Sequence, residues 1–180
     1  MRRYGVKQKV RGERVKVRGF FVLSIFIFQF VLHSCEGTTF QNSVPAYPVH
    51  VLIDTRIGSF VHFQPTVMGS YVEVNKNGYF LDGQYVQPVS MTDAWGYGGV
   101  LAYVSMTGYN AYDLACPYCA SRGLCRTCTI DGANAVCPEC GEEYDLMSGL
   151  AMPRHGISHE TLRPLWIVNS DGRITITQKQ

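Results

Sequence analysis

The stretch Leu165-Trp166-Ile167-Val168-Asn169-Ser170-Asp171-Gly172-Arg173-Ile174-Thr175-Ile176-Thr177 decides the fold class. Apolar and polar residues alternate on both sides of a polar break, the period-2 pattern of strands with one buried face. Asp171-Gly172 supplies the turn chemistry of a tight β-hairpin. Similar short runs lie upstream: Val49 to Ile53, Ser59 to Phe63, Tyr71 to Val74, and Val100 to Val104 after Gly98-Gly99. No stretch after residue 35 keeps a long 3.6-residue apolar period, so helix is expected only as a short piece around His159 to Arg163. Many short strands with frequent Gly and Pro predict an all-β fold, a small barrel or sandwich. No repeat of solenoid length is present.

Composition agrees with a folded chain. Of 180 residues, 46% are hydrophobic and 17% charged. The formal charge of +2 is misleading, because eight of sixteen Lys and Arg lie between Arg2 and Arg18 against Glu13 alone. Beyond that segment stand eight basic and thirteen acidic residues, a net of −5. The remainder therefore offers no basic surface for nucleic acid, and nucleic acid is not expected as a partner.

The basic run Arg14-Val15-Lys16-Val17-Arg18 could be an RNA-binding arm, but an apolar block follows at once, which points to targeting. The block Phe20 to Leu32 has thirteen residues, whereas a membrane span needs about twenty, so it has the length of a signal-peptide core. Leu32-His33-Ser34-Cys35 then resembles a bacterial lipobox, with His33 an uncommon member. The resemblance implies a diacylglyceryl anchor on Cys35 and a place in the cell envelope, facing the periplasm or the exterior, with membrane lipid as partner. The alternative is a signal peptide without lipidation. The expected organisation is a lipoprotein signal peptide over 1–34, a lipidated cysteine and polar tether over 35–43, and a β domain over 44–180.

Apart from Cys35, every cysteine falls between Cys116 and Cys140. They make three pairs: Cys116-Pro117-Tyr118-Cys119, Cys125-Arg126-Thr127-Cys128 and Cys137-Pro138-Glu139-Cys140. A Cys-x-x-Cys turn points two thiolates one way, and two such turns build a tetrahedral S₄ site for zinc or iron. Seventeen residues separate the outer pairs, within the range for paired zinc knuckles. Disulfides are the competing reading, since an exported chain meets an oxidising compartment. The Cys-Pro starts, Gly141 after Cys140 and the clustering in one region favour metal over distant staples. Cys125 and Cys128 are left open, as a local disulfide or as rival ligands.

Tyr112-Asp113-Leu114-Ala115-Cys116-Pro117-Tyr118 resembles the first cluster loop of a Rieske domain. Cys137-Pro138-Glu139-Cys140-Gly141, with Tyr144-Asp145-Leu146 and Gly149, resembles the second. Pro153, Leu165 to Val168 and Asp171 to Ile176 follow in the order of that fold's proline loop and closing hairpin. Val44 to Val49 is similar to the start of Rieske-like lipoproteins of Bacteroides-type bacteria. The resemblance implies a small Rieske-like β domain with a metal-loop region over 112–153. It implies a [2Fe–2S] cluster, electron transfer and a redox partner protein. By position Cys116 and Cys137 match the two cysteine ligands, while Tyr118 and Cys140 stand where the histidines belong. The ligand set so implied is Cys116, Cys119, Cys137 and Cys140, with zinc or mononuclear iron as alternatives. Thiolates in place of imidazoles add negative charge and imply a lower reduction potential.

His155 and His159 are further ligand or proton-carrying candidates, though exposed loop residues suit them better. Glu142, Glu143 and Asp145 read as a solvated acidic rim, and Trp95 to Gly99 as a turn feeding a strand. A structural zinc or disulfide module serving as an envelope interaction domain is the second functional reading. An enzyme is third, since nothing singles out one of the six cysteines as a nucleophile.

Overall fold

The computed structural model describes residues 42–179, and Cys35 with the leader lies outside them. In chain order the strands are β1 (Val49–Asp54), β2 (Tyr71–Asn75), β3 (Gly78–Leu81), β4 (Gln84–Gln87), β5 (Ala94–Trp95), β6 (Val100–Ser105) and β7 (Gly108–Asp113). A five-residue helix α1 (Pro117–Ser121) follows, then β8 (Thr129–Asp131), β9 (Asn134–Val136), β10 (Glu143–Asp145), β11 (Met152–His155), β12 (Trp166–Ser170) and β13 (Arg173–Thr177). The fold is all-β. Its strands form three antiparallel sheets, ordered β12-β13-β1-β5, β4-β3-β2-β6-β7 and β11-β10-β9-β8, and none closes into a barrel.

The hairpin forms as its alternation requires. Ile174 and Ile176 are buried while their neighbours face outward. Asp171 and Gly172 both take positive φ, 49° and 76°, the two-residue turn whose twist matches the strands it joins. β13 also pairs with β1, with Val51 opposite Ile176 and Ile53 opposite Ile174. The last strand thus closes against the first.

β6 organises the layers, because all six of its residues are buried. Val100, Ala102 and Val104 point into a core shared with Val51, Ile53, Ile174 and Ile176, where the first two sheets face each other. Leu101 and Tyr103, one residue out of phase, enter a second core with Leu114, Tyr144, Leu146, Leu162 and the cysteines. The second sheet is therefore covered on both sides, and its far side carries the cysteine region.

Two expectations are corrected. Ser59 to Phe63 is not a strand: Gly58–His62 is a 3-10 turn. Phe60 and Phe63, three apart, both reach the core from it, a period of three that resembles alternation over five residues. His159 to Arg163 is not helical either. Pro164 disfavours helix at the residue before it. The Leu162 N–H donates to the Ala151 carbonyl (3.1 Å) and the Asp113 N–H to that of Arg163 (2.9 Å), which holds the segment extended against its neighbours.

The folded body also reaches further back than residue 44. The Ser43 N–H and hydroxyl donate to the Glu160 carboxylate, each at 2.7 Å, and the Asn42 amide donates to the Thr161 carbonyl. Among the described residues no helix is long and apolar enough to cross a membrane.

Candidate metal centre

Two loops build the site. The first begins at Cys116, which sits at the N-cap of α1 with Pro117 in the first helical turn. Proline lacks the N–H that would be orphaned there and has its φ preset, so the Cys-Pro start nucleates the helix. One turn on, Cys119 shares the face of Cys116, and the Ala120 N–H donates to the Cys116 carbonyl at 2.9 Å. The second loop is a reverse turn. The Gly141 N–H donates to the Cys137 carbonyl, and the Cys137 N–H to that of Glu142, both at 2.9 Å.

These loops bring Cys116, Cys119, Cys137 and Cys140 together, with all four Sγ atoms within 4.8 Å of one another. Cys116 and Cys137 are fully buried, Cys119 is 2% exposed, and Cys140 is half-buried at the rim. Cys116 Sγ lies 3.6 Å from Cys140 Sγ, and Cys119 Sγ 3.8 Å from Cys137 Sγ. A tetrahedron with metal–sulfur bonds of about 2.3 Å has edges of about 3.8 Å. The four residues could hold one metal ion.

No family model and no curated protein matches this chain.

The four thiols are not equivalent. Cys116 is held down to about 4 by a hydrogen bond from Cys128, and also by the Cys119 backbone N–H, the Tyr144 hydroxyl and Cys140. The Tyr144 hydroxyl lies 3.6 Å from Cys116 Sγ, in a pocket where Tyr144 itself is fully buried. Burial first, then neighbouring sulfurs, pushes Cys119 up to about 11. Cys140 lies well above the usual thiol range for the same reasons, although the Glu142 backbone N–H donates to its sulfur. Donors converge on Cys116 and favour its thiolate, while burial, then neighbouring sulfurs, favours the thiol at Cys119 and Cys140.

The remaining candidates separate clearly. All six cysteines from Cys116 to Cys140 are free thiols here. Cys125 is exposed, and its thiol donates to the Tyr97 carbonyl at 3.5 Å. Cys128 is 1% exposed and belongs to the site's core. His155 and His159 are exposed and stand outside the cysteine group. Arg126 and Glu139 form a 3.2 Å ion pair between the loops, a surface contact worth little.

The acidic rim is corrected at one position. Glu142 is 1% exposed, and its carboxylate accepts the N–H groups of Ile157 and Ser158, clamping residues 156–158 beside the site. Asp113 is also buried and accepts the N–H groups of Tyr97, Gly98 and Ala115 at 2.7–2.9 Å. It ties the Trp95–Gly99 turn to the strand that delivers Cys116.

Cys128, Tyr144 and Glu142 are the site residues whose roles the sequence reading missed. The alternation of Cys128-Thr129-Ile130 with its neighbours would have marked Cys128 as inward-facing.

Proposed function

We propose that this protein is an envelope-anchored, Rieske-like metal protein whose cluster position holds a single tetrahedral ion on Cys116, Cys119, Cys137 and Cys140. The spacing of the four sulfurs carries this reading. All lie within 4.8 Å of one another, matching the edges of an S₄ tetrahedron. A [2Fe–2S] cluster would set two thiolate pairs apart across its bridging sulfides, so one ion fits this spacing better. Three antiparallel sheets, with the two cysteine loops facing at the end of one layer, support the Rieske-like frame.

Cys116, Cys119, Cys137 and Cys140 would hold the ion, and iron there would supply one-electron chemistry towards a redox partner protein. Hydrogen bonds converging on the Cys116 sulfur would tune its potential, and half-buried Cys140 offers the edge nearest solvent. Structural zinc is the second reading. It is favoured by the closed coordination, in which four thiolates leave no open position for a substrate. The anchor is the acyl group on Cys35, which would keep the domain at the membrane surface.

Elemental analysis and a visible spectrum of anaerobically purified protein test these readings together. One iron per chain, with thiolate-to-iron absorption, supports the electron carrier. One zinc and no colour supports the structural role. Two irons with two sulfides restore the cluster, and neither metal overturns the centre.

A further inference from the structure

The sulfurs that could hold an ion are also close enough to react with one another. Cys116 and Cys140 stand on different loops, 24 residues apart in the chain, with their Sγ atoms 3.6 Å apart. A disulfide places its sulfurs about 2.05 Å apart, so this pair is short of a bond by about 1.6 Å. The four cysteines differ in access. Cys116, Cys119 and Cys137 are buried, whereas Cys140 is half-buried at the rim, where a reagent can reach it.

Four sulfurs packed beside Leu114, Leu146 and Leu162 suit a cation, but they are poorly placed without one. Any sulfur left ionised there is a buried charge with no counter-charge among the leucines. A disulfide carries no charge and needs no acceptor. Access at Cys140 and proximity at Cys116 give that bond a route. The Cys140 sulfur attacks an external disulfide, forming a mixed disulfide and expelling one thiol; the Cys116 sulfur then attacks the Cys140 sulfur and expels the second. Two protein thiols are oxidised, the external disulfide is reduced, and the two expelled thiols carry away both protons.

Resting on the metal-centre reading, we propose that the site is a redox switch: once its ion leaves, a low-molecular-weight disulfide entering at Cys140 oxidises Cys116 and Cys140 to a disulfide that bars the ion's return. Cys119 and Cys137 then remain as two ligands of the four an S₄ site needs. The link joins the two loops in place of the ion. It closes a 24-residue loop, and a longer loop restrains the unfolded chain more than a link within either Cys-x-x-Cys turn. Cys119 Sγ and Cys137 Sγ, 3.8 Å apart, also face each other across the loops, but both are buried, so no external disulfide starts the reaction there.

The test exposes the full chain to oxidised glutathione, once stripped of metal by a chelator and once with Zn²⁺ present. Each sample is acid-quenched, alkylated, digested and mapped by mass spectrometry. The stripped chain should yield a peptide pair joined through Cys116 and Cys140, with Cys119 and Cys137 alkylated as thiols. With Zn²⁺ held at about ten times its Kd the link should form about tenfold more slowly, because the ion-free fraction falls by that factor. The linked protein should take up no Zn²⁺ until dithiothreitol cleaves the bond. A main product joined through Cys116 and Cys119, Cys137 and Cys140, or Cys119 and Cys137 overturns the inference. So do a mixed disulfide that persists on Cys140, and a rate that Zn²⁺ leaves unchanged. If stripping unfolds the chain, links between nearest cysteines in sequence should replace the cross-loop link, and that result overturns it too. Protein that binds Zn²⁺ but never forms the link overturns the switch alone. Reduced protein that takes up neither Zn²⁺ nor iron overturns the metal centre, and the switch with it.

Discussion

Lowering pH should expel the metal steeply, and the site's own asymmetry sets the slope. In the metal-free pocket Cys116 titrates at about 4, so it is already a thiolate at neutral pH. Cys119 titrates at about 11 and Cys140 higher still, so both are thiols. Binding an ion to all four sulfurs must displace at least the protons on Cys119 and Cys140. Metal affinity depends on pH through the protons released, each contributing about tenfold per pH unit. Between pH 5 and 8 affinity should therefore rise at least about 100-fold per unit as pH increases. Below pH 4 the slope should steepen, because Cys116 then takes up a proton too. Competition for Zn²⁺ against a chromophoric chelator, at half-unit steps from pH 6 to 7.5, measures this directly. A slope of one proton or fewer would refute the argument, since it would mean that one of the two high-titrating thiols is not a ligand.

Tyr144→Phe removes the hydroxyl 3.6 Å from Cys116 Sγ, and metal affinity should fall roughly 10- to 150-fold by the same competition assay. Gly156→Ala should lower the melting temperature, with a loss on the order of 1–3 kcal/mol. Gly156 has φ of 127°, and a Cβ there would overlap the Glu142 carboxylate, so both backbone and clamp resist it. Cys35→Ser should shift the protein from membranes to the soluble fraction or leave it unprocessed, and a variant that still sediments with membranes at mature size would refute the anchor.

The sequence showed what depends on period-2 patterning and on spacing. The closing hairpin, β1 and β2 follow from alternation, β6 from a continuous apolar run after Gly98-Gly99, and Asp171-Gly172 names its own turn. The four cysteines that meet in space are those that two Cys-x-x-Cys turns select. Short segments were harder. Five residues from Ser59 to Phe63 fit period two or period three, and only the core beneath Phe60 and Phe63 chooses between them. The helix forms not around His159 but at the stronger local signal, proline directly after an N-cap position, at Cys116-Pro117. Glu142 could not be placed from its neighbours. Its burial depends on N–H groups fifteen and sixteen residues away, a contact no local pattern encodes. Spacing pairs Cys128 with Cys125, whereas the bridge between Ala115 and Thr127 sets it on the face of Cys116.

The cysteine region leaves and rejoins the sandwich at one narrow place. Tyr112 bridges to Pro164, the Asp113 N–H meets the Arg163 carbonyl, and the Leu165 N–H meets that of Ala111. Everything from Leu114 to Arg163 is thus an excursion with a closed neck. The pairing of β1, β12 and β13 does not pass through it, whereas Leu101 and Tyr103 of β6 are buried beneath it, so opening the loop would bare that side of the second sheet. The neck gives the region the character of a cassette. A change of liganding side chains within it would leave the pairing of β1, β12 and β13 untouched.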